Sequence, residues 1–396
     1  MKRTIIRAAL GVFVAAGLVG VPQASRAQGS PADREALAQK LVKSAGIHEG
    51  DLVQIAGGVR NAELLEDLAV EVRKAGAHPY VSLVTDRLIQ KLFEKVPARY
   101  DSQPPAFDLK LADIVTAQIF VDFNEDPAFI ANVAPARRAA VAKAGQPVNQ
   151  LMLKRNVRQV FLGNGLYPTA KTAQRFGIPQ AALAKLFWDG VNVDYAKLQS
   201  TGEAMRSALS AGKELHVVNP NGTDLRMRVE GRPVFVSDGV ISPEEAKRGG
   251  AACQVWLPAG EVYLAPVPGT AEGKVVVNRQ EFDGADIEGL TLTFKAGKVT
   301  AMTAKSGLGP FKALYDAAGA GKDVFGVVDI GINPNVRVPS GSRMESFMPA
   351  GMVTLNLGNN LWAGGDNAVP FGLASFLPGS TLKVDDKVIV ENGVLK

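Results

Sequence analysis

Glu261 is the residue whose surroundings first suggest chemistry. It stands between the turn Pro258-Ala259-Gly260 and the apolar run Val262-Tyr263-Leu264. A carboxylate at the start of a strand can serve as a surface residue of a hairpin, as a general base, or as a metal ligand. The other chemistry-bearing types are few. The chain has three histidines, His48, His78 and His216, and one cysteine, Cys253. No His-x-x-x-His pair occurs, so the common histidine zinc motif is absent, and there is no G-x-S-x-G elbow for a serine nucleophile. One cysteine allows neither an internal disulfide nor a cysteine-based zinc site, and Cys253 lies in a strand-like run that reads as a buried small hydrophobe. Gly57-Gly58 lacks the spacing of a dinucleotide loop, and Gly319-Ala320-Gly321-Lys322 lacks the first glycine of a P-loop.

The elements that would position these residues fall into two patterns. Periodicity predicts helices over Arg34–Ala45, Glu63–Lys74 and Ala134–Lys143 and strands over Asp51–Ala56 and Pro79–Val84, with Ala112–Phe123 as a further apolar strand. Strand, glycine turn, helix and strand in about 35 residues form a βαβ unit, which implies a parallel sheet with helical cover. After a helical segment over Asp194–Lys213 the composition changes. Short β-type runs then alternate with Gly, Pro and Asn turns, among them Leu215–Val218, Gln254–Leu257, Gly326–Ile330 and Met352–Leu357, with one helix at Gly309–Ala318. The reading is an α/β N-terminal domain with a mainly parallel sheet over residues 28–213, and a β-rich α+β C-terminal domain over residues 214–396.

Composition sets the outer limits. The chain has 396 residues, is 46% hydrophobic and 21% charged, and carries a net charge of +5. That composition excludes disorder and repeat fibres and suits two domains. Lys2, Arg3 and Arg7 precede an apolar stretch from Ala8 to Val21, followed by Pro22 and Ser25-Arg26-Ala27. This order is that of a secretory signal peptide over residues 1–27, with cleavage after Ala27 and a periplasmic or secreted mature protein. Residues 1–27 hold four basic groups and no acidic one, so the mature chain has a net charge of only +1. Lys and Arg do not cluster, which leaves no case for a nucleic-acid partner. No run outside the leader is long enough to span a membrane.

Taken together, several segments resemble the aminopeptidase T (thermophilic aminopeptidase) family of metallopeptidases. They are Ala36–Leu41 with Gly50–Ile55, Lys74–Pro79, Tyr167-Pro168-Thr169 with Ala173, Gly222–Leu225, Leu257–Pro266 as "PxGEVxxAP", and Ile330–Pro334 as "GxGxNP". The resemblance covers nearly the whole mature chain. It implies a two-domain fold, a homodimer with a cleft between domains, and two metal ions held by two Glu, two His and an Asp. Glu261 matches the first glutamate. Asp329 falls at the second, catalytic one, and Thr354 falls at the first histidine. Gly372 and Ala374 fall at the second histidine and the aspartate. No histidine follows His216, so a small shift of alignment restores none. The oxygen donors that remain, with Asn360 and Asp366 nearby, suit Ca²⁺ or Mg²⁺ better than Zn²⁺ or Co²⁺. Three functions follow from this pattern. One is an exported protein that binds a peptide or small amine-bearing ligand where the two-metal site has been lost. Another is a divergent hydrolase using Glu261 and Asp329, and the third is an active metal-dependent aminopeptidase.

Overall fold

A computed structural model describes residues 31–126 and 128–396; the predicted leader lies outside them. Five parallel strands form the first sheet, in the order His78–Leu83, Leu52–Gly57, Ala117–Val121, Arg158–Leu162, Gln254–Leu257. Side chains alternate across it. Val53, Ile55, Ile119, Val160 and Val255 are buried in one core with Leu41 of helix Pro31–Ser44 and Leu65 and Leu68 of helix Ala62–Lys74. The opposite face carries two rows that the register lines up. One is Gln54, Gln118, Gln159 and Gln254; the other is Ala56, Phe120, Phe161 and Trp256. A parallel sheet is usually apolar on both faces; here the second row keeps to that and the glutamine row does not.

The rest of the chain is antiparallel. An eight-stranded sheet runs Lys298–Thr303, Ala285–Lys295, Glu272–Phe282, Thr223–Arg228, Glu214–Asn219, Thr381–Val384, Lys387–Glu391, Val394–Leu395. A five-stranded sheet runs Gly372–Leu377, Val353–Gly358, Phe325–Gly331, Glu261–Leu264, Phe235–Ser237. Its inner face, with Val236, Val262, Ile330 and Leu355, belongs to the main core. Helices Gln180–Val191 and Tyr195–Ala211 lie close to it: a Cβ on Gly202 would come 2.5 Å from Val236 Cγ1, and Asn333 donates to the carbonyl of Gly190 at 3.1 Å. The two-part α/β and β-rich architecture read from the sequence is therefore the fold of the chain.

Three details differ from the sequence reading. The apolar run from Ala112 is not one strand. It finishes helix Ala106–Ile114, turns at Val115, and only then forms strand Ala117–Val121. Ala112 and Val115 are buried against Met152 and Val157, and an apolar run packed on another helix has no period that separates it from a strand. The helix read as Ala134–Lys143 continues to Lys154 as Pro135–Lys154, with Pro147 inside it. The run Gln254–Leu257, which follows residue 214, pairs with Arg158–Leu162 and completes the parallel sheet. Helices Asp86–Lys95, Ala106–Ile114 and Pro135–Lys154 form an excursion from that sheet. It is tied together by Arg137 to Asp101 at 2.6 Å and reaches the β-rich part through the ion pair of Arg138 with Asp283.

Candidate functional site

The outer face of the five-stranded antiparallel sheet gathers every position singled out by the resemblance. Asp329 stands directly opposite Tyr263 on one side and Thr354 on the other. Glu261 lies opposite Gly331 and Ser237, one pair further along. Ala374 lies opposite Asn356, and Gly372 opposite Gly358. Directly opposed residues share a face, and so do residues two apart in one strand. Glu261, Asp329, Thr354, Ala374 and Gly372 therefore all project from the same side.

Two motifs lock together to hold Glu261. Gly260 has a φ of +124°, and a Cβ there would come within 2.8 Å of the Asn333 backbone nitrogen. That close approach needs glycine. Asn333, fully buried, donates from Nδ2 to the carbonyls of Ala259 at 2.6 Å and Gly190 at 3.1 Å, and the backbone N–H of Ile332 donates to Gly260 at 2.8 Å. The "GxGxNP" segment thus clamps the turn that presents the glutamate. From the parallel sheet, Asn164 donates to Glu261 Oε1 at 2.6 Å and to the carbonyl of Pro258 at 3.1 Å. It sits just beyond the carboxyl end of strand Arg158–Leu162, where open α/β sheets commonly bind ligands.

The electrostatics are unusual. Glu261 and Asp329 are buried, and among the described residues neither forms an ion pair with Lys, Arg or His. Burial raises Glu261 to about 7, against a hydrogen bond from Asn164 that favours the charged form. Burial and then the charge of Glu261 push Asp329 well above the usual carboxylate range. Burial does the same to the phenol of Tyr263, helped by both carboxylates. No side chain donates to either Asp329 oxygen, the Ile330 backbone N–H being the one group that favours its charged form, and the buried hydroxyls of Tyr263 and Thr354 lack partners. Leaving such groups unpaired in the interior costs about 1–3 kcal/mol each.

Aromatic rings border the cluster. Trp256 lies 5.6 Å from Tyr263, Trp362 lies 5.1 Å from Tyr263 and 5.6 Å from Trp256, and Phe161 stacks on Trp256 at 5.9 Å and 15°. Asn164, Tyr263, Trp256 and Trp362 were not singled out as site residues in the sequence. Tyr263 lies inside the Glu261 motif and could have been found by its period-2 spacing; the other three come from distant segments with no motif around them. The histidines are elsewhere. His48 lies by Asp51, His78 by Arg73, and His216 bonds Asp224 at 2.9 Å. Cys253 is buried, with its thiol pushed up by burial. Asn360 accepts from the Asn367 backbone N–H at 2.8 Å and donates to the carbonyl of Gly326 at 3.4 Å. Asp366 lines a small crevice with Pro266 and Val324.

This fold and face place the chain in a known class. The sequence model of the thermophilic metalloprotease (M29) family matches residues 33–323, and the chain belongs to that family. The solved structure of wild-type AmpT from Thermus thermophilus is similar to it at 17% identity and a TM-score of 0.70, over 92% of this chain and 100% of that one. The 2,5-dihydroxypyridine dioxygenase from Pseudomonas putida KT2440 is similar at 14% identity and a TM-score of 0.59, over 93% and 98%. At those identities the likeness is one of fold. No curated protein matches the chain. The family's name implies metal ions, and the donor set can be tested for them. Among the described residues no three His, Cys, Asp or Glu side chains converge, and Gly372 and Ala374 bring no donor atoms. Two carboxylates and two hydroxyls do not fit a pair of zinc-type ions, which want imidazole, thiolate or several carboxylates.

Proposed function

We propose that this protein is an exported binding member of the M29 fold whose two-metal peptidase site has been dismantled. Its Glu261–Asp329 pair holds the protonated amine of a peptide or small amine. The observation that carries the reading is the set of unpartnered buried acceptors around Asp329. A primary ammonium offers three donors and one positive charge. It would satisfy Asp329 and Thr354 together and lower the cost of burying two adjacent acids. A second reading rests on the donor chemistry: the polar side-chain atoms of Glu261, Asp329, Thr354 and Tyr263 are all oxygen, the set preferred by Ca²⁺ or Mg²⁺. The resemblance further suggests a homodimer, which sedimentation would test.

Thermal melts separate these readings. The mature protein should gain several degrees with millimolar Ala-Ala and show no gain with N-acetyl-Ala-Ala, which has the same body without the charge. Glu261→Gln and Asp329→Asn should abolish the gain. A shift with Ca²⁺ or Mg²⁺ that replaces the dipeptide shift would establish the hard-cation reading instead. Purified protein should hold far less than one zinc or cobalt per chain and cleave amino-acid anilides poorly. Elemental analysis finding two tightly held transition metals, with chelator-sensitive aminopeptidase activity, would overturn the proposal and restore the peptidase. Detection of intact Met1–Ala27 on soluble cytoplasmic protein would remove the export part.

A further inference from the structure

A groove of about 1020 Å³ opens between the helical excursion and the segment that carries Trp362. Ile89, Leu92, Phe93 and Val96 line one wall, at the i, i+3, i+4, i+7 spacing of a single helix face. Val141 and Val148 of helix Pro135–Lys154, seven residues apart, line another, and Trp362 and Phe371 close the remaining side. Helix Asp86–Lys95 buries none of its residues, and Leu92 is 51% and Val141 42% exposed. Apolar side chains left open at helical spacing, on two helices around one groove, mark a binding surface. The volume lies at the upper end of those of small-molecule sites.

Charge narrows the occupant. Among the described residues no Lys, Arg or His lines the groove, and two carboxylates do. Asp101 is tied to Arg137 at 2.6 Å. Asp108 is exposed, in the first turn of helix Ala106–Ile114, and joins no ion pair among the described residues. We propose that the groove is a second binding site, separate from Glu261 and Asp329, for a small amphiphile with a cationic head. Its apolar body lies along Leu92, Val141 and Trp362, and its head meets Asp108. The aromatic rings of the lining add attraction for a cation. An anionic amphiphile of the same shape would set its charge against Asp108 with no cation to receive it. The site does not depend on the amine reading of the buried carboxylates.

Calorimetric titration of the full mature protein, with and without saturating Ala-Ala, tests it with three probes below their micelle concentrations. They are octylamine, hexylamine with the same head and a shorter body, and octanoate with the opposite charge. Octylamine should bind about tenfold tighter than hexylamine, as two more buried methylenes imply, and at least about fivefold tighter than octanoate. Leu92→Ser, on a helix with no buried residue, keeps the fold intact and should weaken octylamine by about fivefold. Asp108→Asn should weaken octylamine and hexylamine alike, by about threefold, and so leave their ratio unchanged. Equal affinity for octanoate and octylamine, or octylamine binding that neither substitution changes, would overturn the groove site. If octylamine binds only when Ala-Ala is absent, it occupies the carboxylates; the groove site then falls and the amine reading stands. If Ala-Ala fails to bind while octylamine still responds to both substitutions, the groove site holds and the amine reading falls. A dimer in sedimentation that Leu92→Ser dissociates would mean that a second copy fills the groove, and would overturn the small-ligand site.

Discussion

Asp238, next to the strand residue Ser237, shows how burial of one carboxyl becomes a pH dependence. Burial and the nearby charge of Glu245 push it up to about 6. In the unfolded chain an aspartate titrates near 3.9. Between about pH 4 and pH 6 the folded chain therefore holds a proton that the unfolded chain has released. Stability from this group is present below that window, falls as pH rises through it, and stays reduced above it. Asp238→Asn mimics the neutral form and keeps the acceptor for the Val240 N–H, now at 3.2 Å. It should be neutral at pH 4 and stabilise by about 1–2 kcal/mol at pH 8, a figure discounted for partial exposure. Denaturant melts of both proteins at the two pH values check this, and an equal difference at both would show an ordinary carboxyl. The same burial acts on Glu261, yet the sequence could present Glu261 only as a carboxylate after a Pro-x-Gly turn. Its partner in the buried site is Asn164, which no spacing connects to it.

Helices and strands show where local pattern suffices and where contacts decide. Gly202 in helix Tyr195–Ala211 reads as a weak point, since alanine would gain up to about 1 kcal/mol of helix propensity. Its added Cβ would lie 2.5 Å from Val236 Cγ1 and 3.3 Å from Ile332 Cδ1. Overpacking of that kind costs about 1–3 kcal/mol. Packing should win, and Gly202→Ala should destabilise by about 1–2 kcal/mol in a urea melt; a gain in stability would mean the helix can move off the sheet. The βαβ start was legible because helix Ala62–Lys74 and the strands beside it carry clean periods and Gly76 ends the helix at φ +77°. Ala106–Ile114 followed by Ala117–Val121 was not, because the two elements share one apolar run and differ only in what they touch. Which sheet a strand joins was equally invisible. The strand Gln254–Leu257 looks like its β-rich neighbours, and only its pairing with Arg158–Leu162 sets it apart.

At the scale of the whole molecule, that strand decides how the two parts depend on each other. Gln254–Leu257 leaves the β-rich region, closes the parallel sheet, and returns to present Glu261. Val255 and Leu257 are buried in the core they complete. The N–H of Ile241 donates to the carbonyl of Ser44 at 2.8 Å, a second tie across the same division. Helices Gln180–Val191 and Tyr195–Ala211, which precede residue 214, contribute buried Leu183, Phe187, Leu198, Met205 and Leu209 to the main core. A fragment of residues 28–213 would expose much of that surface. At about 1.5–3 kcal/mol per large side chain, five of them approach 10 kcal/mol, comparable with the 5–15 kcal/mol that holds a typical domain together. We therefore expect the 28–213 fragment to lack a cooperative thermal transition, while the mature chain unfolds in one transition seen alike by circular dichroism and tryptophan fluorescence. The fluorescence is informative because Trp256 and Trp362 pack on Tyr263 beside the carboxylates and Trp188 lies in helix Gln180–Val191. A cooperative melt of the fragment would show that the parallel sheet does not need its fifth strand, and that the candidate site is assembled between two independently folding domains.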